Sequence, residues 1–152
     1  MLLSKIILPI CFFFSLTPIQ GQEANFDAEK KVQETIISLF DALSGRDSMI
    51  IKSHCTPDVR FYEYGSTWNL DTIIQKAVTT NQAVDFRRSN SFDFLNTTIH
   101  ENIAWTTYNL RSEISRTGKQ VNIHWLETVI LVSENNKWKI KVLHSSLIKR
   151  EG

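Results

Sequence analysis

The stretch His124–Ser146, HWLETVILVSENNKWKIKVLHSS, constrains the fold more than any other part of the chain. Two strand-like runs, Trp125 to Val132 and Trp138 to Ile148, flank Glu134-Asn135-Asn136-Lys137, where paired asparagines tolerate the positive φ of a tight hairpin turn. Alternation puts Trp138, Ile140, Val142 and His144 on one face of the second strand, with Lys139 and Lys141 on the other. Trp125, Glu127, Val129 and Leu131 make the matching row on the first strand. A curved sheet with both rows inside has an apolar floor and a polar rim of Glu127 and His144, the outline of a small-molecule pocket. Leu126, Thr128 and Ile130 form the opposite row, where a one-sided sheet would be polar. A covered outer face is therefore expected, most simply a homodimer across a two-fold axis.

Residues 1–21 read as a signal peptide: a cationic Lys5, an apolar run from Ile6 to Leu16, and a breaker segment Thr17 to Gly21. The run falls short of the ~20 apolar residues that span a bilayer. Export to the periplasm or the exterior is expected, with no stable membrane insertion after cleavage. Residues 22–152 have the length of one domain, and no linker, repeat or low-complexity run divides them. Without Lys5 the 17 Lys and Arg drop by one, to equality with the 16 Asp and Glu. A near-neutral chain of this kind lacks the basic excess of a nucleic-acid-binding domain. Cys55 is the only cysteine after the leader, so no internal disulfide forms, and a buried inert thiol is the expected state.

A first helix is predicted from Asp27, with Val32, Ile36, Leu39, Phe40 and Leu43 at helical spacing and Ser44-Gly45 ending it. A short helix follows from about Ser48 to His54, with Met49, Ile50 and Ile51 inward, and Pro57 prevents its continuation. Val59 to Tyr64, closed by Gly65, reads as a strand. Asn69 is a good N-cap for a third helix carrying Leu70, Ile73, Ile74, Ala77 and Val78. Strands from about Phe86 to His100 and Ile103 to Ser115, then a turn at Thr117-Gly118-Lys119, lead into the final hairpin. Helices followed by long strands define an α+β layout, with the helices on one face of the sheet.

These segments resemble the nuclear transport factor 2-like superfamily, the cone fold shared by SnoaL-like polyketide cyclases, ketosteroid isomerases and scytalone dehydratase. The likeness rests on the first helix ending in LSGRD, on TPDVRFYEYG, WNLDTIIQKAV and NIAWTTYNL, and on ETVILVSENNKWKIKVLHSS with its Trp138, His144, Ser145 and Ser146. It covers nearly all of the chain after the leader. The resemblance implies a cone-shaped curved antiparallel sheet with three helices packed on its concave side. It implies enzymes, binding domains or assembly modules, because all three use this cone. In a comparison with ketosteroid isomerases, Glu63 falls at the carboxylate base. Their phenolic donor falls at Leu39, which donates no hydrogen bond. The Asp of the cyclases has no counterpart here.

The candidate catalytic groups are Glu63, Glu127 and His144. Carboxylates desolvated in an aromatic cavity have raised pKa values and can move protons near neutral pH. The competing reading is that Glu127 and His144 only satisfy each other as buried polar groups. Candidate ligand contacts are Tyr62, Tyr64, Trp68, Arg88, Trp105 and Trp125, although such aromatics also serve cores and interfaces. Arg88 and Arg111 suit an anion if they point inward. His54, His100, His124 and His144 lack metal-ligand spacing, so neither metal nor other cofactor is expected. Three functions fit: an exported binding domain for a small hydrophobic or amphipathic ligand, a cofactor-independent lyase, isomerase or hydratase, or a dimeric accessory domain.

Overall fold

The computed structural model describes residues 20–152, with side chains from residue 26 onward. The signal-peptide reading of residues 1–21 lies outside these apart from Gln20 and Gly21. Helix α1 spans Gln20–Gly45, beginning before Asp27, and its Val32, Ile36, Leu39, Phe40 and Leu43 are all buried, as their spacing requires. Helix α2 is Ser48–Ser53, capped by the Asp47 carboxylate, which accepts from the amides of Met49 and Ile50. So short a helix presents a single position to the core. Ile51 takes it, while Ile50 is exposed and Met49 is 80% exposed, against the expectation that all three point inward.

Strand β1, Cys55–Glu63, turns at Tyr64-Gly65 into β2, Ser66–Trp68. Both turn residues have positive φ. Helix α3, Leu70–Ile74, is capped by Asn69 as its sequence predicts and continues as a π-helical turn, Gln75–Thr79. Four long strands complete the chain: β3 Arg87–His100, β4 Ile103–Arg116, β5 Lys119–Glu134 and β6 Lys137–Glu151. The sheet order is β2-β1-β6-β5-β4-β3, open at both edges. The sheet is mixed and not wholly antiparallel, because the last strand enters between β5 and β1 and runs parallel to β1. The β5–β6 turn is Asn135-Asn136, both with positive φ, as expected of a two-residue hairpin.

Single-residue bulges bend the long strands, at Leu95 in β3 and at Lys141 and Ile148 in β6. The resulting concave face is packed against α1 and α3 in one core that includes Phe61, Tyr108, Leu110, Trp125, Ile140 and Leu143. Cys55 is buried in that core, and desolvation pushes its thiol up to about 12, an inert state. Among the described residues no helix is long and apolar enough to cross a membrane.

Candidate active site

The site grows out of strand register. The inner row of β1 is Val59, Phe61 and Glu63, and the inner row of β5 includes Trp125, Glu127, Val129 and Leu131. On β4, Ala104, Thr106, Tyr108 and Leu110 face inward, and the two-residue Thr117-Gly118 turn sets Tyr108 opposite Glu127. On β6 the Lys141 bulge shifts the residues up to Leu147 by one place, so Glu127 is paired with Ser145 and Thr128 with His144.

Three of these side chains form a connected buried group. Glu127, only 2% exposed, accepts from the Tyr108 hydroxyl at Oε2 (2.7 Å) and meets Ser145 Oγ at Oε1 (2.8 Å). Ser145 Oγ also lies 2.7 Å from Glu63 Oε1. A serine hydroxyl has one hydrogen, and an ionised carboxylate can only accept. Two carboxylate contacts at one hydroxyl therefore require a second proton, carried by one of the two acids. Burial, the largest effect, pushes Glu127 from 4.5 to about 7, with the charge of Glu63 adding to it against the hydrogen bonds of Tyr108 and Ser145. Burial raises Glu63 as well, opposed by its Ser145 hydrogen bond and the positive charges of Arg88 and His144. Burial thus pushes both acids toward the protonated form, Glu127 the more strongly, which favours Glu127 as the acid that carries the second proton.

Glu63 and Glu127 line a cavity of about 240 Å³ with Phe40, Phe61, Tyr64, Trp68, Ile73, Trp125 and Leu143. Arg88 enters this cavity from the inner row of β3. Its Nε donates to Asn90 Oδ1 (2.9 Å) and its Nη2 to Ser112 Oγ (3.1 Å), while its guanidinium lies 5.3 Å from the Phe40 ring centre and 5.9 Å from that of Trp125. Desolvation lowers the Arg88 pKa, but the charges of Glu127 and Glu63 oppose that effect and an arginine stays cationic.

Several sequence expectations are corrected here. His144 does not face the cavity: the Lys141 bulge turns it to the outer face, exposed, with its ring centre 6.3 Å from that of Tyr62. Tyr62 alternates with Phe61 and Glu63 and is likewise outside and exposed. Trp105 alternates with Ala104 and Thr106 and is 39% exposed on the outer face, opposite Ile130. Tyr64, Trp68, Arg88 and Trp125 do line the cavity, together with Glu63 and Glu127. Tyr108 and Ser145 were not anticipated. Among the described residues, no group of three His, Cys, Asp or Glu is arranged to hold a metal ion.

An open cone of one bent mixed sheet around a helix-covered cavity defines a nuclear transport factor 2-like α+β protein. Solved structures share this fold at low identity. A nuclear transport factor 2-like protein from Salmonella enterica is 16% identical, with a TM-score of 0.71, covering 84% of this chain and 96% of that one. The CamKII hub homology domain of Chlamydomonas reinhardtii is 17% identical, TM-score 0.70, over 80% of this chain and 99% of that one. A hexachlorocyclohexane dehydrochlorinase from Novosphingobium barchaimii is 10% identical, TM-score 0.69, over 86% and 92%. No curated protein matches the sequence. Residues 32–149 match the SnoaL-like domain, and the chain belongs to that family.

Proposed function

We propose that the protein is an exported, cofactor-independent acid–base enzyme of the isomerase or lyase type, acting on a small molecule held in the cone. The observation that carries this reading is Ser145 Oγ placed between Glu63 Oε1 and Glu127 Oε1, so that a half-buried and a buried carboxyl group meet at one hydroxyl beside a cavity. Glu63 is the base: it is the ionised partner, it lines the cavity, and among the described residues its carboxylate is hydrogen-bonded by Ser145 alone. It takes a proton from a substrate carbon and returns it to another position, or leaves it in place while a β-substituent departs. Arg88 lines the same cavity and stands where negative charge develops on the substrate, so a cation held in place there stabilises that charge. It fills the role that Leu39, buried in the core, cannot fill. Tyr108 and Ser145 act through the carboxyl groups and are positioning residues, since neither lines the cavity.

The dehydrochlorinase similarity supports proton abstraction as chemistry this cone can host. The hub-domain similarity supports a second copy seated on the outer face, where Trp105, Leu126 and Ile130 are exposed. The test is deuterium incorporation from heavy water into small enolisable ketones and β-substituted acids, followed by proton NMR. The enzyme is expected to accelerate exchange for members of this panel, and Glu63→Gln to slow it by about 10²-fold or more while binding persists. Compounds that bind without accelerated exchange would make the protein a binding domain and not an enzyme.

A further inference from the structure

The cavity beside Glu63 is the inner part of a longer site. A second cavity, of about 590 Å³, shares Leu43, Arg88, Ile114 and Ile123 with it, so the two adjoin at the Arg88 side chain. The lining of this outer part adds three cations, Arg116, Lys119 and Arg150. Their placement follows from register. Arg116 and Lys119 are partners across the β4–β5 turn, continuing the inner rows of Ile114 and Val121, and Arg150 is opposite buried Ile123. Among the described residues neither these three cations nor Arg88 forms an ion pair. Asp85, just ahead of β3, spends its two oxygens on the amides of Thr117 (3.0 Å) and Gly118 (2.9 Å).

Cations gathered at one mouth repel each other, and an anion there relieves the repulsion. Arg88 is already fixed by Asn90 and Ser112, which leaves three of its five N–H donors for a ligand. Trp125, under that guanidinium, keeps a buried Nε1 without an acceptor. The junction of the two cavities is therefore rich in donors, and the inner cavity is mainly apolar and aromatic. An apolar cavity of ~150 Å³ admits benzene, so 240 Å³ admits a ring-sized body.

We propose that the ligand is a small amphipathic carboxylate, with its apolar body beside Glu63 and its anionic head at Arg88 and the mouth cations Arg116, Lys119 and Arg150. The position of the reacting carbon rests on the acid–base reading, whereas the preference for an anion does not. Charge-assisted hydrogen bonds make the head the larger source of selectivity.

Calorimetry on the full chain at low ionic strength tests this with phenylacetate, hydrocinnamate and phenylbutyrate against their primary amides. At least one acid is expected to bind about tenfold more tightly than its amide, as one charged hydrogen bond provides. The preference is expected to shrink severalfold in the Lys119→Gln/Arg150→Gln double variant and on adding salt, with amide binding unchanged. Both substituted side chains are exposed, so folding is preserved. If no acid outperforms its amide, or if the double variant keeps the full preference, the proposal is overturned. Heavy-water exchange by the parent protein separates the two readings: an acid preference without any proton exchange removes the enzyme and leaves the anion site, and exchange without acid preference does the reverse.

Discussion

Glu127→Gln should change how stability depends on pH more than it changes stability itself. The glutamine amide copies protonated Glu127: its oxygen accepts from Tyr108, its N–H donates to Ser145 Oγ, and Ser145 still donates to Glu63. In the parent protein the folded state holds the Glu127 proton up to about 7, against 4.5 for the ordinary carboxyl. A folded pKa above the unfolded one gives stability that is complete below about pH 4.5 and is lost as pH rises through about 7. Over that window the loss is about 3 kcal/mol. Burial lowers His54, which acts in the opposite sense and adds stability as pH rises to 6.5, but the variant keeps His54, so a difference curve cancels it. Asp58 and Asp85 are lowered, and their contributions fall away only in more acid solution. Urea unfolding of both proteins from pH 4.5 to 8 is the assay. The two should be similar near pH 4.5, and the variant should be more stable by about 3 kcal/mol at pH 8. Parallel curves, or a variant that is the weaker at pH 8, would refute the assignment of the shared proton to Glu127.

Tyr108→Phe removes a donor to a buried carboxyl, so Glu127 should titrate higher still and the fold should lose about 1–3 kcal/mol, read by the same urea series. Asn136→Ala keeps a Cβ at a φ of 60° without the local hydrogen bonding that asparagine offers, and should cost about 1–2 kcal/mol in thermal or urea unfolding, whereas Asn136→Gly should cost little. Cys55 should react with an aromatic disulfide reagent only at the rate of unfolding, since its thiol is buried and pushed up to about 12; prompt labelling of the folded protein would contradict this. Light scattering should show a dimer that Trp105→Glu dissociates; a monomeric parent protein would remove the outer-face proposal.

The α1 face, the Asn69 cap, the Asn135-Asn136 turn and the inward row of β5 were all readable because each depends on local periodicity or turn chemistry. The Tyr108–Glu127 contact was latent in the sequence as well. Once Thr117-Gly118 is taken as a two-residue turn, counting back along both strands brings those residues opposite each other. His144 is the instructive failure. Counting from the Asn135-Asn136 turn places it opposite Glu127, and one bulged residue at Lys141 gives that place to Ser145. Nothing in the local sequence marks Lys141 as a bulge, because the distortion answers to the curvature of the whole sheet and to β1 packing beside β6. Trp105 and Tyr62 were assigned to the ligand by residue type, where alternation with Tyr108 and Phe61 already turned them outward. The parallel β1–β6 pair, formed between strands far apart in the chain, has no local signal at all.

In neutral solution Glu63 and Glu127 should hold one proton between them. Carbon NMR of side-chain carboxyl-labelled glutamate, with the two signals assigned through Glu63→Gln and Glu127→Gln, measures it directly. A carboxyl midpoint at about 7, lost in Glu127→Gln, is expected, with the second acid ionising at lower pH. Two midpoints at or below 4.5, the ordinary carboxyl value, would mean that both acids are ionised together at neutral pH and would contradict it.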